Sequence, residues 1–267
     1  MSKLIIVKLG GSVITAKQSG KPKLRTRTII RLAKEIAEWR STVTHREGAR
    51  MILLYGGGSF GHPLAHRYHL QNRVLNAKTL AGAGRTIAAM RELGNRLSSI
   101  FLDAGIPVVP LQTSSFVRKV NGRIVLQNLI LLETILKHGG VPFLGGDVVL
   151  ADSRRTVIAS ADELAAVLGS LFHVRKVLFA TNVDGVYKRF PPRTGERPLQ
   201  KINRGGLRGA TASRGGNNAH DVTGAMVGKL KALLPLRNCE ALIFNALKSG
   251  VLSSALRGEY RGTTVVL

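Results

Sequence analysis

Met51-Ile52-Leu53-Leu54-Tyr55-Gly56-Gly57-Gly58-Ser59-Phe60-Gly61-His62 is the stretch on which the fold turns. Met51 to Tyr55 is an uncharged apolar run. It reads as a strand buried on both faces, as parallel sheets require. The chain then passes at once into glycine. Gly56, Gly58 and Gly61 fit G-x-G-x-x-G, which after a strand signals a dinucleotide-binding turn. That reading carries its own test, since ribose recognition wants an acidic residue about 20 residues further on. No Asp or Glu occurs between Gly61 and Glu92. A glycine cradle for a phosphate is the better account, with His62 placed to donate to a phosphate oxygen.

Working outward, Leu4 to Leu9 is a second buried strand, and it too ends in glycine: Lys8-Leu9-Gly10-Gly11-Ser12. Glycines let backbone N–H groups approach an anion, and Lys8 supplies a fixed positive charge. The rest of the chain alternates strand and helix. Helices are expected over Thr28–Trp39, Lys78–Ala104 (weakened by Gly82, Gly84 and Gly94), Asn128–His138, Asp162–Leu171 and Val222–Leu234. Strands are expected over Ile106–Leu111, Val141–Leu144, Lys176–Thr181, Ala241–Asn245 and Thr263–Leu267, with a hairpin over Val148–Ile158 turning near Asp152-Ser153. This alternation predicts an α/β fold with a largely parallel sheet covered on both faces. Ala16–Arg27 and Asn203–His220 read as loops, the second a lid or a solvated connection.

Composition narrows the class. At 267 residues and 44% hydrophobic content the chain can bury a sizeable core, as one large α/β domain or two small ones. It holds no apolar run of membrane-spanning length, and Lys8 interrupts the short stretch Leu4–Val7, so a membrane span and a secretory signal are not expected. A cytoplasmic protein is. The single cysteine, Cys239, rules out an intrachain disulfide framework and a cysteine-rich zinc site. The net charge of +25 favours anionic partners without choosing among nucleotides, phosphorylated metabolites, nucleic acid or acidic lipid. Aromatic content of 5% and the lack of a recognised binding motif leave nucleic acid only non-specific electrostatic contact.

Three further segments bear on the chemistry. Gly224-Ala225-Met226-Val227-Gly228-Lys229 approaches a Walker A loop but fails it: three residues intervene where four are needed, and Leu230 stands where Ser or Thr belongs. The segment reads as helical, with Asp221 and Thr223 as capping residues, so Lys229 is a helical lysine. Ser160-Ala161-Asp162 opens a helix, where Asp162 would order lysines or simply favour the helix N-terminus. Asp184-Gly185 reads either as part of a site with Thr181 or as a turn.

Taken in chain order, KLGGSVITAK (Lys8–Lys17), YGGGSFGHPLAH (Tyr55–His66), GGDVVLAD (Gly145–Asp152), SADELA (Ser160–Ala165), TNVDGVYKRFP (Thr181–Pro191), DVTGAMVGKL (Asp221–Leu230) and RGTTV (Arg261–Val265) resemble the amino acid kinase superfamily, and within it the isopentenyl phosphate kinases. The glycines are shared across the superfamily; the histidine ending GGGSFGH marks that branch. The resemblance implies one open αβα sandwich over residues 1–267, with an acceptor-binding half to about residue 155 and a nucleotide-binding half from about 156. It implies ATP and isopentenyl phosphate as substrates, Mg²⁺ held largely by ATP oxygens and water with no dedicated protein ligands, and a homodimer. Lys8, Gly10, Gly11 and Ser12 would hold the transferring phosphates, with Gly58 on the ATP side. Lys17 would stabilise the transferring group. Gly57, His62 and Gly146 would hold the acceptor phosphate, and Asp162 would order the lysines. Thr181, Asp184, Ala225 and Lys229 would lie in the nucleotide half. Transfer to an oxygen that is already anionic needs no strong base; it needs cations that quench repulsion between two anions. A kinase of the same fold acting on a phosphonate such as fosfomycin is the nearest rival. The sequence departs from the family's pattern at Tyr55 (commonly His), Ala161 and Ala225 (commonly Gly) and Asn182 (commonly Asp).

Overall fold

The computed structural model describes residues 4–16, 22–43, 50–188, 191–212, 222–259 and 262–267, with the side chains of Ala212 and residues 222–225 left aside. Lys17 and Asp221 therefore lie outside the described residues, as do parts of both long loops. The first half runs β1 (Leu4–Leu9), α1 (Gly11–Ile14), β2 (Thr15–Ala16), β3 (Lys23–Leu24), α2 (Thr26–Val43), β4 (Arg50–Tyr55), α3 (Gly58–Arg67), β5 (Arg73–Val74) and α4 (Ala77–Asp103). There follow β6 (Val108–Leu111), α5 (Thr113–Phe116), the hairpin β7 (Val117–Val120) and β8 (Arg123–Leu126), α6 (Leu129–Lys137), β9 (Val141–Gly145) and a second hairpin, β10 (Asp147–Ala151) and β11 (Arg155–Ala159). The chain ends with α7 (Ala161–Leu171), β12 (Lys176–Thr181), β13 (Lys201–Ile202), α8 (Arg204–Ala212), α9 (Val222–Leu233), β14 (Glu240–Asn245), α10 (Val251–Arg257) and β15 (Thr263–Val266).

The main sheet has the order β13-β15-β14-β12-β1-β4-β9-β6, parallel throughout except where β14 meets β15. Its central strands are the continuous apolar runs, and they are buried on both faces as a doubly covered parallel sheet demands. Side-chain alternation divides them between two cores. Ile5, Val7 and Leu9 of β1 join Met51, Leu53 and Tyr55 of β4 in the layer under α2, α4 and α10. Leu4 and Ile6 join Ile52 and Leu54 in the opposite layer, under α7 and α9. Lys8 shares the parity of Leu4 and Ile6. The same alternation that builds the second core therefore points a lysine towards α7 and α9 at the end of the strand.

Several expectations need correction. The residues after Gly57 are no open loop: Gly58–Arg67 is helical, with His62 in its middle and Pro63 within it. Asn203–His220 is not wholly a loop either, since Arg204–Ala212 forms α8, anchored by buried Leu207 and capped onto α9 through Arg204, whose guanidinium donates to Leu234 O and Leu236 O. Thr223 lies inside α9 rather than capping it. Asp184-Gly185 turns no hairpin; β12 pairs in parallel on both sides. The expected weakness of α4 at Gly82 and Gly94 has a packing reason: side chains there would overlap the rings of Tyr68 and Tyr55. Tyr55, at the common His position, uses that space to stack at 4.7 Å on Phe143.

Candidate active site

The C-terminal ends of β1 and β4 meet backbone to backbone. A Cβ on Gly11 would lie 2.5 Å from the amide nitrogen of Gly58, so the two turns touch only because both lack side chains. Gly58 also has φ +48°, a left-handed conformation natural to glycine. Thr15 clasps the junction: its hydroxyl donates to Gly11 O at 2.8 Å and accepts from the Ser59 amide at 3.0 Å.

Against this junction lies a cleft of about 110 Å³, lined by Lys8, Gly11, Gly56, Gly57, Gly61, His62, Gly146, Asp162 and Ser160 at its polar end. Ala65, Thr86, Met90, Asp147, Val148, Ile158 and Ala161 form the rest of the wall. Lys8, near the end of β1, and His62, on the helix that follows β4, thus face one space.

The cationic side is built around Asp162, in the first turn of α7. The helix start is fixed by a capping box: the Ser160 hydroxyl accepts from the Glu163 amide while Glu163 accepts from the Ser160 amide. Lys119 pairs with the same Glu163 at 2.9 Å. Asp162 then receives Lys8 Nζ at 2.7 Å and Lys229 Nζ at 2.9 and 3.0 Å. Lys229 reaches in from α9 with its ammonium 5.1 Å from the centre of the Phe179 ring. Burial alone would push the Asp162 carboxyl up, but Lys8 and Lys229 together hold it well below the usual carboxylate range. Burial, reinforced by Lys8 and opposed by Asp162, brings Lys229 down to about 8. The Lys8–Asp162–Lys229 cluster is one carboxylate between two ammonium groups, with a net positive charge. Desolvation at the cleft wall and the nearby Lys8 lower the pKa of His62, against the opposing pull of Asp162.

Of the residues expected from sequence, Lys8, Gly11, Gly57, His62, Gly146 and Asp162 come together in the cleft, and Lys229 joins through Asp162. Gly10 lies behind it, its amide donating to Ala180 O. The Ser12 hydroxyl donates to Asn182 at 3.0 Å, so the departure at Asn182 is in direct contact with the β1 turn. Thr181 and Asp184 do not line the cleft. The Thr181 hydroxyl is buried against Phe244 O and Val183 O, and Asp184 pairs with Lys248 at 2.6 Å and Asn245 at 3.0 Å. They form a neighbouring cluster beyond Asn182. Ala225 lies on α9, and Lys17 outside the described residues. Sequence reasoning missed Asp147 and the apolar wall. Ala65 comes from α3, Thr86 and Met90 from α4, and Val148 and Ile158 from the β10–β11 hairpin. Among the described residues no cluster of His, Cys, Asp or Glu is arranged to hold a metal ion, and no helix is long and apolar enough to cross a membrane.

A parallel sheet whose strand ends carry paired glycine turns, two lysines around one carboxylate and an imidazole across a shared cleft defines an α/β kinase of small molecules. The chain belongs to the amino acid kinase family, whose model matches residues 3–245. It is 35% identical to the isopentenyl phosphate kinase of Methanothermobacter thermautotrophicus and 29% identical to that of Methanocaldococcus jannaschii, each match covering 98% of both chains. A solved isopentenyl phosphate kinase structure superposes with a TM-score of 0.81 at 33% identity, over 98% of this chain and 99% of the other.

Proposed function

We infer that the protein transfers the γ-phosphoryl group of ATP to isopentenyl phosphate, giving isopentenyl diphosphate and ADP. An oxygen of the acceptor phosphate forms the new P–O bond as the bond from the γ-phosphorus to the β,γ-bridging oxygen breaks, and ADP leaves. The observation that carries this reading is that Lys8 and His62 share a cleft that is also lined by the apolar side chains of Ala65, Met90, Val148 and Ile158. The polar end suits an anion and the apolar end a short hydrocarbon tail, which favours isopentenyl phosphate over a compact polar phosphonate. Full-length relatives at 35% and 29% identity carry that name.

In this reading His62, Gly57 and Gly146 hold the acceptor phosphate. Lys8 with Gly10, Gly11 and Ser12, and Gly58 beside them, hold the transferring phosphates. Lys17 and Lys229 offset charge as it spreads over the transferring group, and Asp162 keeps the buried lysines apart and aimed. Thr181 and Asp184 shape the nucleotide side. The carboxylate oxygens of Asp162 are taken by lysines. Mg²⁺ would accordingly enter with ATP, held by phosphate oxygens and water, and would neutralise phosphate charge. The proposed division is an acceptor half to about residue 155 and a nucleotide half beyond it, in a cytoplasmic homodimer. A panel of acceptors (isopentenyl phosphate, dimethylallyl phosphate, fosfomycin, glutamate) incubated with ATP and Mg²⁺ tests the reading through ADP release. Isopentenyl phosphate should give the highest kcat/KM; preference for fosfomycin or glutamate would overturn it.

A further inference from the structure

Asp147 opens β10, lines the cleft and is only 4% exposed. Its carboxylate collects donors from two directions. Oδ1 accepts from the Val148 amide at 2.8 Å and Oδ2 from Gln112 Nε2 at 2.5 Å, and Ser114 donates through both its amide and its hydroxyl. Thr113, in the same short turn, donates its hydroxyl to Gly145 O at 2.6 Å. Gly146, between these two partners, is confined on its other sides. Its amide donates to Tyr55 O at 3.0 Å, and a Cβ there would lie 2.9 Å from the Ala161 amide.

We propose that Asp147 is a positioning residue for the acceptor site: its ionised carboxylate ties the Gln112–Ser114 turn to the Gly145-Gly146 turn and so fixes the Gly146 backbone at the cleft. The inference rests on the reading of this cleft as an isopentenyl phosphate site. An ionised carboxylate is the one side chain that accepts from all these donors at once; a protonated acid or an amide sets a hydrogen against Gln112 or Ser114. Arg91 supports the arrangement from outside, donating to Gln112 Oε1 at 3.4 Å and so turning the amide NH₂ inward. The titratable groups around Asp147 are Tyr55 on β4, whose phenol is pushed up by burial and by Asp147 itself, Arg91 behind Gln112, and Lys8, His62 and Asp162 lining the same cleft.

Burial pushes Asp147 up to about 6, against the hydrogen bonds from Val148, Gln112 and Ser114. The sign of the linkage follows. The folded carboxyl keeps its proton between about pH 4 and pH 6, where the unfolded one has lost it, so this group's contribution to stability declines as pH rises through that window. Acceptor binding has the opposite requirement, because the anchor is made by the ionised form. A group serving the fold alone would show only the first trend.

The test compares wild type with Asp147→Asn and Gln112→Ala, measuring KM for isopentenyl phosphate and for ATP from about pH 5 to pH 8. Near pH 7.5 Asp147→Asn should raise KM for isopentenyl phosphate about tenfold, the scale of a lost charged hydrogen bond, with KM for ATP within about twofold. The ratio of variant to wild type should shrink towards one near pH 5, where wild-type Asp147 is neutral as well. Titrations shared by both proteins, those of His62 and of the acceptor phosphate, cancel in that ratio. Gln112→Ala should give the same split between substrates at about threefold. A ratio that ignores pH, a parallel rise in both KM values, or a fall in KM on removing this negative charge would overturn the proposal. If wild type does not turn over isopentenyl phosphate, the functional reading fails on its own. Amide exchange over residues 143–150 then decides the anchor: faster exchange in Asp147→Asn supports it, and unchanged exchange overturns it.

Discussion

Asp162 is the residue on which the charge of the site closes, because Lys8 and Lys229 are both buried and both rest on it. Two ammonium groups brought this close without a carboxylate would repel each other in a poorly solvated place. The depression of Lys229 to about 8 gives a measurable consequence. The charged form of this lysine is lost as pH rises through that value, so kcat/KM for ATP should fall on the alkaline side with an apparent pKa near 8. Lys229→Arg, which keeps its charge, should move that limb upward; a limb unchanged in the variant would mean another group is responsible. His62 is expected to act through hydrogen bonding to the acceptor phosphate. His62→Ala should lower kcat/KM for isopentenyl phosphate roughly 10- to 100-fold, the range of a charge-assisted hydrogen bond, while leaving the melting temperature nearly unchanged. Equal kcat/KM in variant and wild type would remove His62 from the site.

Elements differ in how plainly the sequence announces them, and the reasons are physical. β1, β4, β12 and β14 are apolar runs buried on both faces, and α4 and α7 have strong capping and long apolar stripes. These were legible. The helix α3 was not, because Gly58, Gly61 and Pro63 weigh against a helix locally and it is packing on α4 that holds it. α8 hides behind its glycines, with Leu207 its one deeply buried residue among those described. The hairpin β7–β8 had a signal that went unused: Asn121-Gly122, both at positive φ, is the preferred two-residue turn between strands. In the site, Lys8, His62 and Asp162 were readable from their glycine and helix-start settings. Asp147 and the apolar wall were not, since only tertiary folding brings Gln112, Met90 and Val148 to one place. The contact between the α1 and α3 turns yields a prediction at this scale. Gly58→Ala would place a methyl 2.2 Å from the Thr15 hydroxyl in a left-handed conformation. It should cost about 2 kcal/mol of stability or more and lower kcat, as read by urea denaturation and steady-state assay. Wild-type stability in this variant would mean the junction is looser than described.

For the whole molecule, a net charge of +25 surrounds a reaction between two anions. Such a field raises the encounter rate of both substrates and is screened by salt over about 8 Å at physiological ionic strength. Raising KCl from about 0.05 to 0.5 M should lower kcat/KM for both substrates several-fold with little change in kcat; a salt-independent kcat/KM would confine the charge to a solvated surface without influence on the site. The sheet organises the same charges internally. Because successive residues of β1 alternate between the two cores, Lys8 reaches Asp162 by counting. Lengthening the strand by one residue ahead of Lys8 would drive its ammonium into the hydrocarbon beneath α2 and swing Leu9 out among the phosphates. An insertion of two would restore the facing while moving the lysine along the strand, so the enzyme's chemistry is tied to the odd-or-even spacing of a single β-strand.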